Sequence, residues 1–509
     1  MKKLCLLLAL LLVLTGCGKE GGKPVRTTAP AYPNDSGHVD KNDDGLCDDC
    51  QEVMLVTFDV YAINDLHGRL ADTPYQPGAD ELTTYLKQVK DNAIILSTGD
   101  MWQGTSEANL TKGQIVTEWM NEAGFDAMTL GGHEFDFGEE QIRQNRELAH
   151  FPFLSINIYN RQTNQQADYC QSSLVVELEG VQIGIIGAIG NCYSSIASEN
   201  TKDVYFINGD ALTALVKEEA AKLRSQGVDF IIYAIHDGSD KTTSETTPMA
   251  VNSQDLAGYY DTALSDGSVD LVFEADSHYW YLLTDPQGVY HLQAGGNNKG
   301  LSHARVLINK ANGNAEVVCA ELLPTGTYLH EKPDPAMAQL LEKYAQLIAP
   351  ATEVLGINRQ YRSGNGVCQL VADLYCRKGM EKWGDRYDIV LGGGYISCRS
   401  PGYMDAGEVD YSLLQSLLPY DNPINLCSIQ GRDLIDKFLE TDHHAYFIKT
   451  TPYGESIRNS IDPDATYYVV TDSYSSGYAN NNMTVIDTYA ENIYARDLMA
   501  EFISQGGLN

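Results

Sequence analysis

From Met54 onward the chain alternates short apolar runs with amphipathic stretches. The runs "MLVTFDVYAIND" (54–65), "AIILSTGD" (93–100), "VQIGIIGAIG" (181–190), "VDFIIYAIHD" (228–237) and "VDLVFEADSH" (269–278) are apolar, several are β-branched, and several end in Asp or His. Runs of this length and composition predict strands. Between them, "ADELTTYLKQVKD" (79–91) and "TALVKEEAAKLRSQG" (213–227) read as helices. Strands alternating with helices predict an α/β domain, in which ligands gather at the carboxyl ends of the strands. The polar residues of the strand-like runs fall there.

A proline-rich entry followed by one amphipathic helix, "PTGTYLHEKPDPAMAQLLEKYAQLIAP" (324–350), suits an interdomain connector. Beyond it lies a second mixed segment. "YDIVLGGG" (387–394) and "TYYVVTDSY" (466–474) read as strands, and "GVCQLVADLYCRKGMEKW" (366–383) and "QGRDLIDKFLE" (430–440) as helices. The expected division is a leader over 1–16, a tether over 17–53, a first α/β domain over 54–330, a linker helix over 331–351 and a second α/β domain over 352–509. No short-period repeat is visible.

The length of 509 residues accommodates these domains, and an apolar fraction of 43% is ordinary for a globular protein. The net charge of -34, from 69 acidic and 35 basic residues, argues against duplex nucleic acid or an anionic membrane surface as partner. An anionic substrate would have to be held by metal ions or by a few local arginines.

The opening "MKKLCLLLALLLVLTGC" has two lysines, a short apolar core and small residues, the layout of a secretory signal peptide. Its apolar run is too short to span a bilayer unaided. The ending "LTGC" resembles a bacterial lipobox, which implies cleavage before Cys17, a lipid on its thiol and an extracytoplasmic protein touching the membrane only through that anchor. Residues 18 to about 53 are rich in Gly, Pro, Thr, Asn and Asp, as in a flexible acidic tether. Within it, "DKNDDGLCDDCQ" (40–51) places Asp40, Asn42 and Asp44 before Gly45, as in the first half of a calcium loop. Gln51 stands where a bidentate glutamate would be, and His38, Cys47 and Cys50 offer other ligands. A solvated acidic linker is the simpler expectation. Of eleven cysteines, nine lie outside the leader and the lipid position, too many by one to pair completely within the chain.

The strand ends carry the chemistry. "INDLHG" supplies Asp65 and His67, two apart, which on an extended backbone point to one side and can share an ion. "STGDMWQG" adds Asp100, whose carboxylate can bridge two cations, "TLGGHEFD" adds His133 and Asp136, "AIHDG" adds His236, and "EADSH" adds Asp276 and His278.

Five such strand ends in this order resemble the calcineurin-like metallophosphatases, and specifically the 5'-nucleotidase family, over roughly residues 54–505. The resemblance implies an α/β fold with an N-terminal metallophosphatase β-sandwich flanked by helices and a second α/β substrate-binding domain. It implies two divalent ions: Asp65, His67, Asp100 and His278 around one, with Asp100 bridging to a second that His236 also holds. His133 would be the catalytic histidine, oriented by Asp136. Imidazole and carboxylate donors suit Zn, Mn or Fe better than Ca or Mg. Two positions depart from the family. Gly132 replaces an asparagine ligand and Asp276 replaces a second-ion histidine, which leaves the occupancy of the second site open.

In the family the second domain binds the nucleotide. Tyr420 in "LLPYDN" and Tyr474 in "TDSYSSGYANNN" match two base-stacking aromatics, in a chain with 31 tyrosines. "YDIVLGGGYISCRSPG" has Leu391 and Ile396 where the family loop has asparagine and arginine. Arg399, and upstream Arg362, with Arg359 a weaker match, are then the guanidiniums for phosphate. Asn480 matches an acidic position, and the triple glycine could be only a tight turn. The expected function is metal-dependent hydrolysis of a small phosphorylated substrate, foremost a 5'-nucleotide. The alternatives are a surface lipoprotein that binds such a ligand without turnover, and a nucleotide-sugar or cyclic-nucleotide hydrolase. Oligomeric state is not legible.

Overall fold

The computed structural model describes residues 40–41, 45–48, 54–72, 78–196, 200–251, 267–399, 401–439, 447–454, 457, 460–477, 481–490 and 493–508. The leader, Cys17, His38, Asn42, Asp44, Cys50, Gln51 and Asn480 lie outside them. The chain divides into two compact units: the first runs to Lys343 apart from Gly104–Thr111, which groups with the second, from Tyr344 onward. Among the described residues no helix is long and apolar enough to cross a membrane.

Among the described residues the first unit contains two large sheets and a two-stranded ladder of Ile158–Asn160 with Val204–Phe206. β1 (Leu55–Ile63), β2 (Ala93–Ser97), β3 (Ala127–Thr129) and β4 (Phe153–Leu154) pair in parallel, in that order. The helices between them are α1 (Asp80–Val89), α2 (Gln114–Ala123) and α3 (Glu139–Leu148). The second sheet includes β5 (Ser173–Leu178), β6 (Val181–Ile189), β7 (Phe230–His236), β8 (Met249–Ala250), β9 (Leu271–Phe273), β10 (Trp280–Thr284) and β11 (Tyr290–Ala294), in the order β8-β10-β11-β9-β7-β6-β5. Two long antiparallel strands, β12 (Gly300–Asn309) and β13 (Asn314–Pro324), complete the first sheet beside β1.

Side-chain alternation along β7 explains the layering. Phe230, Ile232 and Ala234 join Phe58, Val60, Ile94 and Leu96 in the core between the sheets, while Ile231, Tyr233 and Ile235 pack with Leu212, Val216 and Ala220 of α4 (Asp210–Ser225). A strand covered on both faces is apolar throughout, as its sequence is. The same period-two alternation carries His236, the last residue of β7, to the inter-sheet side. The expected metallophosphatase sandwich flanked by helices is the fold observed.

Near the start of the described chain the tether reading needs correction. Asp40 is 4% exposed and Cys47 1%, and Asp40 Oδ2 accepts from Gly45 N–H and from Asn309 Nδ2, both at 2.8 Å. Asp40, Gly45 and Cys47 are buried rather than solvated, and Asp40 is tied to the end of β12 because its carboxylate has two fixed donors. Cys319 is disulfide-bonded, whereas Cys170, Cys192, Cys368, Cys376, Cys398 and Cys427 are free thiols.

α5 (Pro335–Ile348) runs across the division between the units. The second unit centres on α6 (Gly364–Trp383) and a sheet of β14 (Ile389–Tyr395), β15 (Ile424–Gln430), β16 (Phe447–Thr450), β17 (Thr466–Asp472) and β18 (Thr484–Thr488), ordered β16-β14-β17-β15-β18. The triple glycine is not a turn. It lies within β14, where a Cβ at Gly392 would come within 2.5 Å of Ala372 O on α6 and one at Gly394 within 2.4 Å of Ser475 Oγ.

Candidate metal centre

The strand ends bring the sequence-selected residues of the first unit together through an unusual backbone. Asp65 (φ 49°), His67 (φ 50°), Asp100 (φ 55°), Asp276 (φ 63°) and His278 (φ 56°) are all left-handed. Each such residue costs about 1–3 kcal/mol, and strain of this kind concentrates at functional sites. The extended geometry expected for Asp65 and His67 is therefore wrong, because β1 ends at Ile63. The ligand atoms of Asp65, His67 and His278 nonetheless lie within 4.8 Å of one another, as do those of Asp65, Asp100 and His236.

Backbone pairing carried past the strands holds these loops. Asp65 N–H donates to Gly99 O and His67 N–H to Asp100 O, each at 3.0 Å. Glu134, which the sequence reading passed over, completes the clamp. Fully buried, its carboxylate accepts from the N–H groups of Asp100 (2.9 Å), Met101 (2.7 Å), Trp102 (3.3 Å) and Gly131 (2.7 Å). Burial, then the neighbouring Asp100 charge, pushes its pKa up to about 7. The available signal was a glutamate set among glycines and apolar residues at a strand end.

Each imidazole is aimed by its other nitrogen. His67 Nδ1 lies 2.9 Å from Gln103 O, which turns Nε2 toward His278 Nε2, 3.0 Å away. His236 Nδ1 lies 2.6 Å from Thr98 O. Its Nε2 is 3.2 Å from Asp100 Oδ2 and 4.0 Å from Asp276 Oδ1, yet fully buried with no hydrogen-bond partner among the described residues. His133 Nδ1 meets Asp136 Oδ2 at 2.8 Å, with Nε2 3.9 Å from Asp100 Oδ2, while His133 N–H donates to Asp100 Oδ1 at 2.8 Å. Carbonyl or carboxylate partners of this kind fix the tautomer and leave the far nitrogen to act as ligand or acid.

The electrostatics are those of a cation site. Burial opposes the charge of Asp65 and Asp100, but adjacent histidines override it: His278 holds Asp65 below the usual carboxylate range, and His236 and His133 hold Asp100 well below it. Burial likewise opposes a charge on His236, yet Asp100, Asp65 and Asp276 raise its pKa well above normal. These carboxylates thus favour positive charge at the point that His236 Nε2 faces. His67 is held down to about 3 by burial and by His278.

The two glycines before His133 differ. A Cβ on Gly131 would lie 2.4 Å from Asp100 Oδ1 and 2.7 Å from His236 Cε1, so glycine is required there. Gly132 has φ -65°, and its Cβ would make only ordinary contacts with Cys192 Sγ at 3.7 Å and Ile196 Cγ1 at 3.8 Å. A side chain fits where the asparagine is missing. Asp276, with a side chain 41% exposed, stands at the rim.

In the second unit, Arg399 Nε donates to Tyr420 Oη at 2.5 Å, with the guanidinium 5.3 Å from the ring centroid. Tyr474 meets Tyr395 edge-on at 6.3 Å, and Tyr395 packs on Phe447. Arg362 Nε donates to Asn358 Oδ1 at 3.2 Å, and Arg359 is exposed. Leu391 (1% exposed) and Ile396 (5%) are core residues, which accounts for their replacing polar ones.

No family model matches the chain. It is 26% identical to protein UshA of Yersinia enterocolitica over 86% of this chain and 87% of that protein. To a 5'-nucleotidase of Diplobatis ommata it is 26% identical over 73% of this chain and 68% of that one. A putative 5'-nucleotidase of Staphylococcus aureus, solved with alpha-ketoglutarate, superposes with a TM-score of 0.69 at 17% identity, over 89% of this chain and 98% of that chain. The chain is thus similar to 5'-nucleotidases along most of its length, and it shares their mixed α/β fold of a metallophosphatase unit followed by a C-terminal unit.

Proposed function

We propose that this protein is a metal-dependent phosphoesterase that hydrolyses phosphate esters, with 5'-nucleotides as the substrate class. The observation that carries the reading is the convergence of Asp65, His67, Asp100, His236 and His278 at strand ends beside the His133–Asp136 pair. The names of the homologous proteins support the nucleotide.

Asp65, His67, Asp100 and His278 would hold one divalent ion, and Asp100, His236 and Asp276 a second. The residues fit such ions: His236 Nε2 is a buried donor atom with no hydrogen-bond partner among the described residues, and Gln103 O and Thr98 O orient two of the imidazoles. The imidazole and carboxylate set suits Zn, Mn or Fe. When bound, these ions would polarise the phosphoryl group and acidify an attacking water.

The rest of the work falls to the chain. Asp136 holds Nδ1 of His133, so Nε2 is the atom directed to Asp100, and from there it would stabilise charge developing on the phosphoryl oxygens or give a proton to the leaving oxygen. Glu134 keeps the Asp100 loop at its left-handed turn, so the site costs no reorganisation when substrate arrives. In the second unit, Arg362 and Arg399 would take the phosphate and Tyr420 and Tyr474 the base. The sequence "LTGC" supports a location outside the cytoplasm on a lipid carried by Cys17.

The test is phosphate release from a panel of 5'-nucleotides, nucleotide sugars, cyclic nucleotides and simple phosphomonoesters, with added Mn or Zn. Release from 5'-nucleotides that a chelator abolishes supports the reading. Nucleotide binding without release from folded, metal-supplemented protein replaces it with the binding protein.

A further inference from the structure

Beside the second cation position stands a thiol that the family pattern does not include. Cys192 follows β6 on the turn Asn191–Ser195. Its sulfur, a His236 ring nitrogen and an Asp276 carboxylate oxygen all lie within 4.8 Å of one another. Asp237 pins the start of this turn: its Oδ2 accepts Asn191 N–H at 3.0 Å, and a Cβ on Gly190 would lie 2.2 Å from that same oxygen. Cys192 Sγ reaches His236 O at 3.6 Å. The sulfur also faces the space a side chain at position 132 would enter, 3.7 Å from a Cβ built there.

His236 supplies the independent observation. Its Nε2 is fully buried and makes no hydrogen bond among the described residues, while Asp100 Oδ2 stands 3.2 Å and Asp276 Oδ1 4.0 Å away. A nitrogen so placed between carboxylates is positioned to share a cation with them.

We propose that Cys192 is a thiolate ligand of the second cation, completing with His236, Asp100 and Asp276 the coordination that Gly132 cannot supply. This rests on the metallophosphoesterase reading and adds to it a residue and a metal preference. Binding is a proton exchange: the S–H bond breaks, the sulfur pair forms the bond to the divalent ion, and the proton leaves to solvent. One sulfur, one imidazole and two carboxylates form a softer set than the other site, and favour Zn or Co over Mg, Ca or Mn.

The test is titration of the metal-free full chain with Co(II), read by thiolate-to-cobalt charge-transfer absorption and by bound metal per chain. The wild type is expected to take two ions and show the band. Cys192→Ser should lose the band and one of the two ions, with the fold unchanged by circular dichroism. Cys192→Ser with Gly132→Asn should regain the second ion without the band. Two ions with no band, one ion with no band, or a Cys192→Ser protein that keeps both ions and the band would each overturn the proposal while leaving the phosphoesterase reading in place. A folded wild type that binds no ion overturns both.

Discussion

Glu134 Oε2 accepts the backbone N–H of Asp100 at 2.9 Å, so the residue following the proposed catalytic histidine fixes the loop that carries a proposed bridging ligand. The same carboxylate reaches Gly131 and two further N–H groups beyond Asp100. The loops after β2 and β3 are thereby one unit.

Glu134→Gln keeps the volume but leaves one oxygen to serve four N–H groups. It should lower stability by about 2–3 kcal/mol, the range for charge-assisted hydrogen bonds with buried donors left over. Metal affinity should fall with it. Chemical denaturation and metal titration of the same variant check both; an unchanged midpoint with unchanged affinity would show that the clamp is dispensable.

The two glycines of "TLGGHEFD" should separate in mutagenesis. Gly131→Ala drives a methyl against Asp100 and His236 and should lose metal binding together with at least about 2 kcal/mol of stability. Gly132→Ala, at a right-handed φ of -65° and with only ordinary contacts for its methyl, should be neutral or stabilising by about 0.5 kcal/mol. Equal effects would contradict the packing described.

A third prediction concerns pH and lies outside the candidate metal centre. On β1, β12 and β13, His303 Nε2 meets Asp59 Oδ1 and its Nδ1 meets Glu321 Oε1, each at 2.9 Å. Tyr61, itself edge-on to Tyr85, stacks on the ring at 4.6 Å, and Arg305 Nε donates to Asp59 at 2.8 Å. Burial disfavours the charged imidazole, but the two carboxylates raise the His303 pKa; burial likewise opposes ionised Asp59, and His303 and Arg305 lower its pKa. The His303 contribution is therefore full below its unfolded pKa of about 6.5 and is lost as pH rises through the raised folded value. The Asp59 contribution is present above about 3.8 and is lost as pH falls through the lowered value. His303→Gln should cost about 2 kcal/mol near pH 6, and the gap in Tm from wild type should narrow as pH rises through the raised folded pKa. A gap that widens would reverse the sign of the argument.

Much of the first unit was legible because its strands are apolar and stop at polar residues, so that pattern alone put Asp65, Asp100, His236 and Asp276 at strand ends. What could not be read is what tertiary contacts decide. The left-handed turns at Asp65 and His67 follow from pairing with Gly99 and Asp100 in the loop after β2. Cys192 has no local signature, since only parallel pairing of β6 with β7 brings it to His236. The burial of Asp40 depends on Asn309, far along the chain. In the second unit the glycine run reads as a turn until the partners that crowd it, Ala372 and Ser475, are seen.

The central claim is that phosphate-ester hydrolysis runs through the Asp100 and His133 side chains. The most direct measurement is kcat/KM for 5'-nucleotide hydrolysis by wild type, Asp100→Asn and His133→Ala at saturating metal, with Tm recorded for each. The account predicts that each substitution lowers kcat/KM by about a thousandfold or more, within the range for lost acid–base and electrostatic groups, while the protein stays folded. Hydrolysis at near-wild-type rates in either folded variant would contradict it.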